Sequence, residues 1–196
     1  MFKKKPVIVG YQGIPGSFSE EAAMYFITNK IKKYKNIELL PLGTTSEVIL
    51  HLIDGSIDYG VFAYTNTIGG RVRETKEALD EHGNEICVLH QRSMRIHQCL
   101  FAKQGIKLEE IKTVVSHIQG LKQTAKFISK NLPYARMSKQ IDTALTAKLL
   151  SKGILDRYTA VICSKQAGEK YGLSMLAEKI EDSENNYTEF WLTKKM

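Results

Sequence analysis

The chain has 196 residues, 43% hydrophobic and 25% charged, and its 28 Lys and Arg against 21 Asp and Glu leave a net charge of +7. That length and composition exclude bulk disorder and allow one domain or two small lobes with a real core. No apolar run reaches the roughly 18–20 residues of a membrane span, and the basic start Met1-Phe2-Lys3-Lys4-Lys5-Pro6 meets an apolar stretch too short for a signal peptide.

Val7 to Tyr11 read as a buried strand, followed by a Gly/Ser turn and a helix from about Ser19 to Lys33. Ile37 to Leu42 form a second strand. Thr44-Thr45-Ser46-Glu47 offers an N-cap with a carboxylate in the first turn, opening a helix that ends near Gly55. Tyr59 to Tyr64 form a third strand, which stops at Thr65-Asn66-Thr67. Strand, helix, strand, helix and strand with short loops predict a parallel sheet covered on both faces.

Ile86 to Ala102 is extended in character and too long for one ordinary strand of about 5–6 residues. A strand pair that leaves one lobe and enters another accounts for it. The earlier cadence then repeats: strand Lys112 to Ser116, helix Gln119 to Lys130, strand Ala135 to Ser138, helix Asp142 to Lys152 with Asp142 as N-cap. Strand Thr159 to Ser164 and helix Gln166 to Tyr171, closed by Gly172 at C′, complete the second unit. Thr188 to Thr193 is the return crossing. The expected class is α/β, with residues 1–93 and 187–196 in one lobe and 94–186 in the other. Two crossings make a hinge, and a ligand is expected in the cleft between lobes, beyond the carboxyl ends of the strands.

Those ends supply the candidate site. Gly13-Ile14-Pro15-Gly16-Ser17 precedes a helix and reads either as a plain turn with an N-cap or as a place where free N–H groups, with Ser17 beside them, suit a carboxylate or phosphate. It is not GxGxxG, and no Walker-type Lys follows. Thr65, Asn66 and Thr67, then Gly69-Gly70, combine polar side chains with glycines that permit close backbone approach. Ser116, His117 and Gln119 hold the equivalent position in the second lobe, and Thr143 follows the Asp142 cap. His117 reads either as a general base or as a hydrogen-bonder at a helix start. Tyr11, Phe62, Tyr64 and Trp191 read as core aromatics or as a stacking surface for an aromatic product.

Cys87, Cys99 and Cys163 are an odd number, widely spaced and without CxxC, so no disulfide framework or zinc site is expected and a reducing cytoplasm fits. His51, His82, His90, His97 and His117 lack metal-ligand spacing, and no cofactor is expected. The positive charge concentrates in Lys3 to Lys5, Lys30 to Lys35 and Lys194-Lys195, which read as solvated faces and tails. No nucleic-acid motif accompanies them, so a small anionic ligand accounts for the excess.

Taken in order, the segments resemble prephenate dehydratases. Tyr11-Gln12-Gly13-Ile14-Pro15-Gly16-Ser17-Phe18-Ser19-Glu20 is similar to that family's opening motif, and Gly60-Val61 with Thr65 to Gly70 to its second. Ile96 to Leu100, Ser116 to Leu121, Asp142 to Ala144, Tyr171 to Leu173 and Asn186-Tyr187-Thr188-Glu189-Phe190 follow in register, covering about residues 7–193. The resemblance implies a two-lobed, periplasmic-binding-protein-like (type II) fold, and a lyase that converts prephenate to phenylpyruvate with loss of CO2 and water, in phenylalanine biosynthesis. It implies Thr188 as hydrogen-bond donor to the departing hydroxyl, and Asn66 and Gln119 as substrate-orienting donors. Ser17, Thr65, Thr67, Gly70, Ser116, His117, Thr143, Glu189 and Phe190 are the implied substrate contacts, and a homodimer or higher homo-oligomer the implied assembly. The phenylalanine-sensing ACT domain that many members carry after the last motif is not expected in this chain.

The chain also departs from the family pattern. Thr65 replaces Glu, Thr67 replaces Ser, Gly69 a Glu, Ile118 a Pro, Asp142 a Ser and Glu189 an Arg. A like charge about 4 Å from a substrate carboxylate costs on the order of 4 kcal/mol at an effective dielectric near 20, roughly a thousandfold in affinity. Either Asp142 and Glu189 point away from the ligand, or the ligand differs, for example arogenate with its ammonium paired to Glu189. A decarboxylase that leaves the ring non-aromatic, and a non-catalytic small-molecule binding or sensing module, are the remaining alternatives.

Overall fold

The computed structural model describes residues 5–140 and 142–196, so most of the first basic run (Lys3 and Lys4) lies outside the described residues. The first half comprises β1 (Val7–Gln12), α1 (Phe18–Asn29), β2 (Ile37–Leu42), α2 (Thr45–Ile53), β3 (Tyr59–Asn66), β4 (Gly70–Arg71), α3 (Arg73–His82) and β5 (Ile86–Arg95). The second comprises β6 (Cys99–Ala102), β7 (Thr113–His117), α4 (Ile118–Gln123), α5 (Ala125–Asn131), β8 (Arg136–Gln140), α6 (Thr143–Ser151), β9 (Thr159–Cys163), α7 (Lys165–Lys170), β10 (Ser174–Ala177) and β11 (Tyr187–Lys195). The class is α/β, with sheets ordered β2-β1-β3-β11-β5, β4 pairing β3, and β10-β6-β9-β7-β8. One unit takes the chain up to Ile14, Phe18–Arg95 and Tyr187–Met196; the other takes Pro15–Ser17 and Ile96–Asn186.

In the first unit β1 runs parallel to β2 and β3, while β11 lies antiparallel between β3 and β5. The expected parallel pairing of the first three strands is borne out, and β11 with β5 makes the sheet as a whole a mixed one. Parallel neighbours need a crossover, and β11 returns from the second unit instead of from a helix covering the sheet. Thr44 and Glu47 form a reciprocal capping box at the start of α2, with the Thr44 Oγ1 accepting from Glu47 N at 3.1 Å and the Glu47 carboxylate accepting from Thr44 N at 2.9 Å. Behind that cap Val48, Ile49 and Leu52 pack with Ile57, Phe62, Ala78 and Ile86. Gly60 permits this approach, since a Cβ there would meet Val48 at 2.7 Å and Leu52 at 2.8 Å.

α1 stops at Asn29, short of the expected Lys33. Lys30 N and Ile31 N both donate to Phe26 O, at 2.8 and 3.1 Å, which turns Ile31 into the core and leaves Lys30, Lys32, Lys33 and Lys35 exposed. α3 has no expected counterpart. Its residues are nearly all polar, with Thr75 and Ala78 buried and the pairs Arg73–Glu77 and Lys76–Asp80 spaced i,i+4 on its surface.

In the second unit β7 is parallel to β8 and β9, and β6 is antiparallel to β9. Leu100, Val114, Leu121, Ile128, Ala160 and Ile162 form its core. The expected continuous helix from Gln119 to Lys130 is two helices, α4 and α5, broken at Thr124 (φ −124°, ψ 17°). Thr124 is fully buried, its hydroxyl donates to Gly120 O, and the Asp182 carboxylate accepts from Lys126 N and Phe127 N at the start of α5. β10 is likewise additional. The extended stretch from Ile86 is two strands, one in each sheet, separated at Ile96–Gln98. Among the described residues no helix is long and apolar enough to cross a membrane.

Candidate active site

The polar end of β3 meets the start of β11 in the first unit, where Asn66 lies directly opposite Thr188. Directly opposed residues on antiparallel strands project to the same face. The Asn66 Nδ2 donates to Thr188 Oγ1 at 2.9 Å and to Tyr187 O at 3.0 Å, while its Oδ1 accepts from Ile68 N and Gly69 N at 2.9 and 2.8 Å. The turn after β3 is thereby built around the Asn66 side chain, and its amide orientation follows. Thr188 is 8% exposed. Its oxygen accepts from Asn66, so its own proton is turned elsewhere.

Thr67 and Gly70 build this corner. Thr67 N donates to Tyr187 O and Thr67 Oγ1 accepts from Tyr187 N, both at 2.9 Å. Gly70 pairs with Asn66 at φ +74°, a left-handed conformation that favours glycine. Thr65 is opposite Glu189, on the other face of the sheet from Thr188 because side chains alternate along a strand. Glu189 accepts a hydrogen bond from Trp191 Nε1 at 2.8 Å, and Trp191 stacks on Tyr64 at 3.8 Å between ring centroids. The expected pairing of Glu189 with a ligand beside Thr188 is therefore corrected: its carboxylate is turned to the indole on the opposite face. Phe190 is also corrected, being 1% exposed and part of the core. Tyr11 and Phe62 are buried in the core as well.

In the second unit, His117 ends β7 and caps α4. Its Nδ1 accepts from Gln119 N at 3.2 Å, which places the imidazole proton on Nε2. Burial lowers the His117 pKa from its ordinary 6.5, and the charge of Asp142 opposes that shift. The neutral ring that the cap requires is thus the favoured form. The Gln119 side chain is exposed and makes no hydrogen bond among the described residues. Asp142 caps α6 by accepting from Leu145 N at 2.7 Å, and Thr143 follows, partly buried, in the first turn.

Ser116 is corrected from a ligand contact to a core tie. It has no exposed surface, and its hydroxyl donates to Ile162 O at 2.7 Å. Gly120 is required above it, because a Cβ there would lie 2.6 Å from Ser116 Oγ. Ser17, 7% exposed, belongs with Pro15 and Gly16 to this unit, where Tyr171 Oη donates to Pro15 O and Ser164 Oγ donates to Gly16 O. Thr188 and Asn66 are brought into direct contact in one unit, whereas Gln119, His117 and Thr143 belong to the other.

Cys99 and Cys163 are fully buried, and burial pushes both thiol pKa values up, which makes them poor nucleophiles. Among the described residues no three His, Cys, Asp or Glu side chains converge on a metal position. Sequence reading passed over Gln12, Thr45, Glu74 and Thr75, whose side chains interlock beneath the end of β3. Only Gln12 and Thr45 stood within segments that drew attention, and nothing in the sequence joins them to Glu74 and Thr75.

The family described as prephenate dehydratase matches residues 9–196. The chain is similar to arogenate dehydratase 1 of Petunia hybrida, with 35% identity over 93% of this chain and 41% of that protein. It is also similar to the bifunctional chorismate mutase/prephenate dehydratase of Stutzerimonas stutzeri, with 31% identity over 95% of this chain and 48% of that one. The chain thus spans less than half the length of these curated relatives. The solved structure of prephenate dehydratase in complex with L-Phe from Arthrobacter aurescens superposes with a TM-score of 0.82 at 25% identity, covering 97% of this chain and 60% of that one. That match bears out the periplasmic-binding-protein-like α/β fold class.

Proposed function

The chain belongs to the prephenate dehydratase family, and we propose that it catalyses the decarboxylating dehydration of a cyclohexadienyl acid, prephenate to phenylpyruvate, in phenylalanine biosynthesis. The hydrogen bond from Asn66 to Thr188 carries this reading. In the reaction the bond from the ring to its carboxylate breaks and CO2 leaves. That electron pair enters the ring, the C4–O bond breaks, and the oxygen leaves with its bonding pair and takes a proton from solvent to depart as water. Aromatisation supplies the driving force, so the protein has to bind the anion and stabilise charge on the departing oxygen.

Thr188 is suited to that oxygen. A threonine hydroxyl titrates far too high to be a strong general acid at neutral pH. Accepting the Asn66 N–H polarises the Thr188 O–H and leaves it as a donor, and such chained hydrogen bonds strengthen one another. Gln119 supplies an exposed amide for orienting the substrate. Ser17, Thr67, Gly70, His117 and Thr143 remain its proposed surroundings. Glu189 adds no local repulsion on the Thr188 face, because its carboxylate bonds Trp191 on the other.

Arogenate is the second reading, favoured by the names of several relatives, which are arogenate dehydratases. The proposal includes a homo-oligomer in the cytoplasm, checked by sedimentation and fractionation. The test incubates purified protein with prephenate and, separately, arogenate, following phenylpyruvate by its ultraviolet absorbance in alkali and phenylalanine by chromatography, with Thr188→Ala alongside. Turnover reduced to a small residual rate in the variant with binding retained is expected. Consumption of prephenate without phenylpyruvate points to the non-aromatising decarboxylase, and binding without turnover of either substrate to the non-catalytic module; both overturn the dehydratase reading.

A further inference from the structure

β3 and β11 are out of step at one place. From Gly60 to Ala63 the pairing is Thr193, Leu192, Trp191 and Phe190 against Gly60, Val61, Phe62 and Ala63, but Glu189 then faces Thr65 and Thr188 faces Asn66. Tyr64 is the extra residue. Continued without it, the register from Val61 would set Thr65 against Thr188, and Asn66 against Tyr187 on the opposite face. A one-residue slip reverses every side chain beyond it, and bulges near active sites re-aim side chains in this way.

At the bulge and just past the end of β1, backbone groups of β3 lack ladder partners, and here two side chains and one backbone amide take them up. Ala63 N donates to Gln12 Oε1 at 3.1 Å, just beyond the last β1–β3 pair at Tyr11 and Val61. Ala63 O accepts from Thr75 Oγ1 at 2.7 Å, and Tyr64 O accepts from Val72 N at 3.0 Å. Because Thr75 spends its proton on Ala63, it accepts from Thr45 Oγ1 at 2.9 Å, and both threonines are fully buried. Glu74 closes the set by accepting from Thr45 N and from Gln12 Nε2, the latter at 3.4 Å.

We infer that Gln12, Thr75 and Glu74 are positioning residues that hold the Tyr64 bulge, and that this offset is what aims the Asn66 amide at the Thr188 hydroxyl. The inference rests on the reading of Thr188 as the group that meets the departing hydroxyl. Removing part of the brace lets β3 relax toward the unbulged register and withdraws the donor from Thr188. A displacement of about 1 Å in a reacting group costs on the order of 100-fold in rate, with little effect on substrate affinity.

Thr75→Val, nearly the same shape without the hydroxyl, is the variant to make, with Thr75→Ser as the conservative rescue and each also in a Thr188→Ala background. On whichever substrate the native protein turns over, Thr75→Val is expected to lower kcat by about 10- to 100-fold with KM little changed, and Thr75→Ser to restore most of it. In the Thr188→Ala background the same change is expected to cost less than about twofold, because the group it aims is gone. Equal losses in both backgrounds, or an unchanged kcat, would overturn the inference. A crystal structure of Thr75→Val reads the brace without turnover: an Asn66–Thr188 hydrogen bond retained with β3 still bulged overturns it, and a broken one supports it. Should Thr75→Val not fold, Gln12→Leu enters the same measurements. If the native protein turns over neither substrate, the functional reading fails by itself, and the crystal structure still decides the brace.

Discussion

Asn66 carries two duties with opposite ends of one amide: its oxygen closes the turn on Ile68 N and Gly69 N, and its nitrogen donates to Thr188. Asn66→Asp keeps the first and abolishes the second, because a carboxylate only accepts. The Thr188 proton then turns toward the new carboxylate and away from the substrate. Steady-state kinetics should show kcat falling on the order of 100-fold, with a lowered thermal midpoint because the bond to Tyr187 O is lost as well; undiminished kcat would remove Asn66 from the mechanism. Thr188 and Asn66 were legible because the chain keeps them within short motifs. Phe190 and Ser116 stand in the same motifs, yet they face the core and a neighbouring carbonyl. A motif records that a residue type is needed at a position, and only the strand's phase tells whether it serves the ligand or the packing.

His117 makes a separate prediction. Burial favours its neutral form, so its folded pKa lies below the ordinary 6.5 despite the opposing charge of Asp142. A group depressed in this way contributes stability that is complete above its unfolded pKa and is lost as pH falls through the folded value. His117→Asn keeps an acceptor for Gln119 N and removes the titration. Urea denaturation at pH 7 and pH 5 should show a smaller acid-induced loss for the variant than for the native protein. Identical losses would mean that protonation of this ring is not resisted by the fold.

At the scale of elements, the capping box of α2 links a sequence pattern to a measurable stability. Thr44→Ala removes the acceptor for Glu47 N, and loss of such a cap costs about 1 kcal/mol. A shift in the urea midpoint with an unchanged m-value is the expected result. Helices that announce themselves by local caps were legible: Thr44 and Asp142 each accept from the first turn that follows them. The division of α4 from α5 was not, because the carboxylate that caps α5 comes from Asp182, more than 50 residues away. α3 escaped for another reason. It buries only Thr75 and Ala78 in a polar stretch, so the apolar periodicity that marks a helix is missing.

For the whole molecule, the α/β class and the parallel run of β1, β2 and β3 were legible from the alternation of strands and helices, but the antiparallel insertion of β11 was not. Nothing local in Tyr187 to Lys195 says that this segment inserts between β3 and β5 and runs against both. Ligand linkage can be read on the intact chain without turnover. Thr188→Ala with prephenate or arogenate at about 100 times Kd should gain about 2.7 kcal/mol, or roughly 5–10 °C at about 2–4 °C per kcal/mol for a chain of this size. With the two substrates at equal concentrations, the one that shifts the melt further is the better ligand, and no shift with either would refute both readings.

The insertion of β11 also dictates a timetable for the chain as it leaves the ribosome. β3 and β5 are both made more than 90 residues before Tyr187, yet they do not pair with each other, and the strand that joins them is the last element described. Until it emerges, each offers an open edge to any passing strand. The second unit, drawn almost wholly from the contiguous stretch Ile96–Asn186, is under no such delay. Nascent chains halted at Asn186 should therefore carry a protease-resistant second half and a first half still dependent on holding chaperones. Thr188, the proposed donor to the departing hydroxyl, arrives on the segment that ends that dependence.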